Sequence, residues 1–424
     1  MLLCPQIETR LALRIAKIYN TSLLRQFACA LLYTIGLQAV ILQAQSKAPI
    51  LAHDEVASRV REITLSPAKA DEQILQYRIF AAERITIMQQ GGFWPSVAML
   101  QNGELIVIAR TGAPHGITRG GSRLELVRSA DLGKTWSDPV WVAASRPEED
   151  LRDGFVTELK DGTLMLSFHI YRFETPTQYD PVNVNVYVTR SQDRGRTWSV
   201  PEKVNTSPFP FGSPHGRIIE LPEGVLLLQA TVGFTQRPGW ANLFRPEAER
   251  EFQSIVLRSR DGGKTWGDQS VISKGDETSL LLLPSGKLLA AVRGGPVSGS
   301  ARSVSIHGSA DAGHTWKTLG SVTDPGEVPG NLLLLRDGRI LLCYGDRKAP
   351  FFGVQAVTSR DDGRTWDRGN RFQLVWDAPN TDCGYPNSVQ LPDGRVFTAY
   401  YQVDDLADSP ASAKARAVIW TVTK

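Results

Sequence analysis

The sequence predicts an all-β chain built as a six-bladed β-propeller of four-stranded antiparallel blades, and three observations lead there. One phrase, Ser-x-Asp-x-Gly-x-Thr-Trp, occurs five times, at 129–136, 191–198, 259–266, 309–316 and 359–366, with starts 62, 68, 50 and 50 residues apart. A recurrence of this length marks an array of one supersecondary unit. Six apolar runs each enclose a turn glycine preceded by a polar residue, at Gly103, Gly162, Gly224, Gly286, Gly338 and Gly394. Such turns between β-rich runs signal hairpins. Five of the six hairpins are followed by one copy of the phrase, which makes four strands per unit. No such unit buries both faces of its own sheet, so the units must pack in a ring.

The elements follow in chain order. Arg25 precedes an uncharged run, Phe27–Leu42, followed by small and polar residues. This is the pattern of a secretory signal cleaved near Ala44, or of an uncleaved N-terminal anchor. Residues 1–45 are therefore expected to be a signal or anchor and the protein to be exported, to the periplasm or outside the cell. Residues 46–82 read as a polar lead-in and 83–424 as the propeller. Strand candidates Arg84–Met88 and Ala417–Val422 flank the array and predict a last blade shared by both ends, which removes an open edge. Within the repeated phrase, the Asp accepts backbone N–H groups in a turn and the Gly takes φ > 0. The Thr opens the returning strand, and the Trp packs as an apolar plate between sheets. Runs such as Leu332–Leu335 indicate strands covered on both faces.

At 424 residues, 42% hydrophobic and 21% charged, the chain can bury a large core. A net charge of +3 without a basic block argues against nucleic acid or an anionic membrane surface as partner, beyond an N-terminal anchor. Cys4 and Cys29 fall in the leader, and Cys343 and Cys383 are too few for a disulfide scaffold. No metal-ligand spacing surrounds them, and neither a metal nor an organic cofactor is expected.

Counting from each turn glycine aligns the units. Nine residues before it lie Trp94, Asp153, His215, Glu277, Pro329 and Tyr385; seven after it lie Arg110, His169, Thr231, Arg293, Gly345 and Tyr401. The tight turn occupies one end of each hairpin, so both sets are expected at the other end, around one funnel.

On these residues the chain resembles the sialidase (neuraminidase) superfamily of Asp-box propellers, over about residues 83–424. The resemblance implies a Glu opening an inner strand, matched by Glu277, and an Arg ending that hairpin, matched by Arg293. A further Arg before the last blade matches Arg347, and a nucleophilic Tyr opening the final blade matches Tyr385. The pattern departs in two places. Where the superfamily opens its first blade with an Arg, this chain reads Phe93-Trp94-Pro95-Ser96, and the loop that carries its acidic proton donor, 111–129, has no Asp.

The implied activity is exo-acting, retaining hydrolysis of a terminal acidic sugar, sialic acid foremost, on a glycan or glycoconjugate. A phenol is a weak nucleophile until a base takes its proton, a role for Glu277. It suits an anomeric carbon bearing its own carboxylate, which would repel an anionic nucleophile. Arginine forks bind that carboxylate, with Arg293 and Arg347 matched and Arg110 the candidate for the missing third. Asp153 is the first candidate for the proton donor, followed by His115 and His215. Trp94 either stacks on a sugar or plugs the funnel, and Arg110 either binds substrate or pairs with Asp153. Two further readings stay open: the same fold acting on a uronic acid or another glycan, and a carbohydrate-binding propeller that has lost catalysis.

Overall fold

The computed structural model describes residues 82–423 except 175–182, 210, 234–251, 295–301, 350 and 405–411, together with the backbone of two short strands, Arg61–Ile63 and Tyr77–Ile79. The expected leader, 1–45, and the rest of the lead-in lie outside the described residues. Apart from one turn of 3-10 helix at Arg368–Asn370, the described elements are strands.

These strands form five sheets. One runs Phe93–Met99, Leu105–Thr111, Arg123–Ser129, Val140–Ala144, and a second takes its four strands from 276–321 in the same order. A third joins Cys383–Gln390, Val396–Val403 and Ala413–Trp420 to Glu83–Met88, so a strand from far upstream completes the last set. A six-stranded sheet holds four strands from 327–378 and adds Tyr77–Ile79 and Arg61–Ile63 at its edge. The nine-stranded sheet contains two successive hairpin sets, joined where Phe211 pairs with Val184.

The hairpin turns are alike. At each of the six turn glycines the N–H donates to the carbonyl of a Leu three residues earlier, as Gly103 does to Leu100 and Gly394 to Leu391. All six glycines have φ between 79° and 93°, and a Cβ added to any of them meets nothing within 4 Å. Glycine is therefore required by the left-handed backbone and not by crowding.

The repeated phrase is a hydrogen-bonded turn. Asp131 accepts from the Thr135 backbone N–H at 2.9 Å and hydroxyl at 2.6 Å, while Ser129 donates to it at 2.7 Å. Equivalent bonds recur at Asp193, Asp261, Asp311 and Asp361. Each phrase tryptophan then sits in or against a core cluster between neighbouring strand sets: Trp136 between the last and first, Trp198 between first and second, then Trp266, Trp316 and Trp366 in turn. The interface between fifth and sixth sets lacks a phrase tryptophan and is filled by Trp420, packed on Phe372.

A second set of contacts stitches the innermost strands. Seven residues before the turn glycine, Ser96 accepts from Val156 N–H, Ser279 from Leu332, Asn331 from Ser388 and Asn387 from Val97, at 3.0–3.2 Å. In the third set this position is Arg217, which reaches across to Val97 O, Asn387 Oδ1 and Ser388 O at 2.7–3.0 Å.

Candidate active site

Four inner strands carry the same irregularity at the end opposite the turn. The residue seven after the glycine pairs with the residue ten before it, as in Phe93 with Arg110, Arg152 with His169, Asp276 with Arg293 and Gly384 with Tyr401. The residue nine before is left out of the ladder. These excluded residues, Trp94, Asp153, Glu277 and Tyr385, have φ of 50°, 50°, 35° and 49°. A left-handed non-glycine residue is strained, and such strain persists where surrounding structure enforces it. The bulge turns each side chain off the sheet face and toward the strand end. One pocket is lined by Trp94, His215, Glu277, Pro329 and Tyr385, five of the six residues that share this offset.

Within it, the Tyr385 hydroxyl donates to Glu277 Oε1 at 2.5 Å. Arg293 donates through one guanidinium nitrogen to Glu277 Oε2 and, at 3.3 Å, to the Tyr385 oxygen. Burial pushes the Glu277 carboxyl up, but Arg293, His215 and the Tyr385 hydroxyl outweigh it and hold it below the usual carboxylate range. Burial and the Glu277 charge both raise the Tyr385 phenol above its ordinary value. The proton thus rests on the phenol, facing an ionised acceptor.

Arg347 lies with its guanidinium 5.4 Å from the Tyr385 ring centroid, and its buried Nε has no hydrogen-bond partner among the described residues. Burial alone would lower its pKa; Tyr385, Tyr401 and Glu277 reverse that and raise it. It makes no ion pair among the described residues, whereas Arg293 is held by Glu277 and Asp276. The binding partner of Arg302 is likewise Asp276, so that carboxylate braces two arginines behind Glu277.

The expectation for Arg110 is corrected. Its side chain is 0% exposed and donates to Leu151 O at 3.0 Å, Pro114 O at 2.5 Å and Asp150 at 2.7 Å. The register that aligns it with Phe93 directs it beneath Trp94, where Asp150, not Asp153, neutralises it. Arg152 shares that same Asp150.

Asp153 is only 7% exposed and, like Arg293, Arg347 and His115, stands behind or beside the residues that line the pocket rather than among them. The imidazoles of His169 and His215 stand 3.7 Å and 3.9 Å from its carboxylate, too far for hydrogen bonds, and burial raises its carboxyl pKa. Burial pushes His169 well down, so that imidazole is neutral. Among the described residues, no three His, Cys, Asp or Glu side chains stand close enough to hold a metal ion. Trp94 packs edge-on to Tyr385, with ring centroids 6.3 Å apart, and forms an aromatic wall with Phe93 and Tyr401. His115, from the loop after the first hairpin, stands edge-on to Trp94 at 5.2 Å.

The offset count did not single out Asp382, Asp276 or Arg217. Asp382 accepts from the Tyr401 hydroxyl at 2.6 Å and approaches His115 Nδ1 at 2.7 Å. The available signal was a carboxylate three residues ahead of Tyr385 in the run DCGYPN.

The model of the BNR repeat-like domain family matches residues 103–398. A sialidase of Micromonospora viridifaciens is 26% identical over 341 residues, which cover 72% of this chain but 49% of that protein, so the chain spans about half its length. Among solved structures, a Dyadobacter fermentans protein of unknown function superposes with a TM-score of 0.66 at 24% identity, covering 80% of this chain and 98% of that one. The Hadza microbial sialidase Hz136 superposes with a TM-score of 0.60 at 17% identity, covering 85% and 72%. The two structural likenesses bear on the fold.

Proposed function

The chain belongs to the BNR repeat-like family of the sialidase superfamily, and on that premise we propose that it is an exo-acting glycoside hydrolase releasing a terminal acidic sugar, sialic acid foremost, with retention of configuration. The observation that carries this reading is the 2.5 Å hydrogen bond from Tyr385 to Glu277 inside the pocket. A neutral phenol with an ionised base beside it is poised to attack an electrophilic carbon and to deliver its proton as it does so. The intermediate is then a tyrosyl glycoside, later released by water.

The charge around the phenol favours an anionic sugar. Arg347 holds its guanidinium 5.4 Å from the centre of the Tyr385 ring and forms no ion pair among the described residues, and Arg293, bonded to the Tyr385 oxygen, adds a second. A planar fork binds a carboxylate through two parallel bonds. Among the described residues two arginines serve here, because Trp94 occupies the equivalent place in the first unit and Arg110 is sequestered.

We read the frame as a closed six-bladed propeller. The support is that six core clusters join successive strand sets, the last to the first included, and that Arg217 bonds to both the first and the sixth. Export to a compartment that presents glycans is part of the same proposal and rests on the Phe27–Leu42 run.

The test is turnover of aryl sialosides beside aryl glycuronides, followed by trapping with a 3-fluorinated sialosyl fluoride and peptide mapping. Covalent label on Tyr385 is expected. Label on another residue, or cleavage of glycuronides alone, overturns the reading.

A further inference from the structure

The Tyr385–Glu277 pair attacks the sugar but supplies nothing to the departing oxygen, and a poor leaving group needs a proton. In an exo-acting pocket the sugar occupies the floor and the aglycone leaves through the opening. The proton donor must therefore stand at the rim, within reach of solvent. Asp153 fails this condition, since it is 7% exposed.

His115 meets it. Its side chain is 43% exposed, and it rests edge-on against the same Trp94 that packs on Tyr385. Its Nδ1 lies 2.8 Å and 2.7 Å from the two oxygens of Asp382. Asp382 is held in turn by the Tyr401 hydroxyl at 2.6 Å, and its own loop is fixed by Asn380 bonding the Asp382 N–H at 2.8 Å. Burial pushes the Asp382 carboxyl up, but His115, Tyr401 and Arg347 together hold it below the usual range, so it is ionised and accepts from Nδ1–H. That bond sets the tautomer and leaves Nε2 as the working nitrogen. Nε2 has no protein partner among the described residues. Arg152 donates to the His115 and Gly116 carbonyls at 2.9 Å and 2.7 Å, which anchors the loop from below.

We propose that His115, oriented by Asp382, is the general acid and then the general base of the reaction, a role that rests on the glycosidase reading above. In the first step the Tyr385 oxygen bonds to the anomeric carbon and its proton passes to Glu277. The bond to the glycosidic oxygen breaks with its electron pair, and that oxygen takes the proton from Nε2 and leaves as an alcohol. In the second step, neutral Nε2 removes a proton from water as the water oxygen bonds to the anomeric carbon. The bond to the Tyr385 oxygen breaks, and the phenol recovers its proton from Glu277. His115 would touch the leaving oxygen and the water; Asp382 is a positioning residue.

The experiment compares methyl and 2,4-dinitrophenyl aglycones of the acidic sugar in wild type, H115Q, D382N and D153N, with melting temperatures recorded for each. For H115Q, kcat/KM for the methyl glycoside should fall at least about 100-fold and for the dinitrophenyl glycoside less than about 10-fold, because the second aglycone leaves without a proton. D382N should show the same leaving-group dependence in weaker form, whereas a merely structural lesion lowers both substrates alike. Azide added to H115A should yield a glycosyl azide of retained configuration, since azide needs no base. Equal losses on both aglycones in H115Q and D382N, or selective loss in D153N instead, overturn the assignment while leaving the glycosidase reading intact. No turnover of either glycoside by the wild type overturns both.

Discussion

Tyr385 and Glu277 stand 108 residues apart in the chain and share a 2.5 Å hydrogen bond. Each opens the inner strand of a different unit, each has a left-handed backbone, and each lies nine residues before its own turn glycine. The contact is therefore made by two copies of one local geometry facing each other.

Y385F and E277Q are each expected to lower kcat/KM on an aryl sialoside by about 1000-fold or more, because a nucleophile and its base act as a unit. The double variant should lose little beyond either single one. Multiplying losses in steady-state kinetics would show that the two act independently.

Arg347 is expected to govern recognition of the substrate carboxylate. R347A should raise KM, or weaken a carboxylate-bearing inhibitor, by about 30–150-fold, the loss of one charge-assisted contact worth about 2–3 kcal/mol. The carboxamide analogue of the inhibitor should bind both proteins equally in calorimetry. Equal weakening of both ligands would instead indicate a collapsed pocket.

Asp346, beside Arg347, gives a pH dependence of stability. Burial pushes its carboxyl up to about 6, against the opposing hydrogen bonds from Lys348 N–H and Gln355. A carboxyl raised in the folded state keeps its proton while the unfolded chain has lost it. Stability from this group is thus full below the unfolded value near 4, falls as pH rises to about 6, and is level above that. The change amounts to about 2–3 kcal/mol. D346N should flatten this part of the melting-temperature profile between pH 4 and 6, and a wild-type slope persisting in D346N would assign the effect elsewhere.

Arg217 should matter to stability more than to chemistry. It donates to three oxygens on the innermost strands of the first and last units, and no carboxylate among the described residues neutralises it; burial lowers its pKa to about 10. R217A leaves those acceptors short of a donor and is expected to cost about 2–4 kcal/mol in urea unfolding. R217K, with a compact ammonium in place of a fork, should recover only part of it. A neutral R217A would mean that water replaces the guanidinium without loss.

Much of this frame was legible in the sequence because local rules generate it. The six turn glycines are demanded by a backbone of φ near 85°, and the phrase Asp, Ser and Thr by the bonds of one turn. The offset count found five pocket residues, since equal strand lengths put equal offsets at one end. It misplaced Arg110, because a count gives depth along a strand but not the face on which a side chain emerges. The paired residue Arg110 emerges into the interface beneath Trp94, while the unpaired Trp94 emerges into the pocket. Arg217 was not singled out because its acceptors, among them the Val97 carbonyl, belong to other units, and Asp382 announces itself only by its place three residues ahead of Tyr385, since its partner His115 lies in another unit.

The four left-handed residues have a consequence for how such a pocket changes its chemistry. The backbone makes the same excursion whether it presents an indole, a phenol or a carboxylate, so each strand end behaves as a socket indifferent to its occupant. Branching at the β-carbon is what that excursion resists, which disfavours Val, Ile and Thr there and leaves most other reagents admissible. Exchanging one reagent for another is a single-codon event that leaves the scaffold untouched, so a departure such as Trp94 is cheap to acquire and equally cheap to reverse.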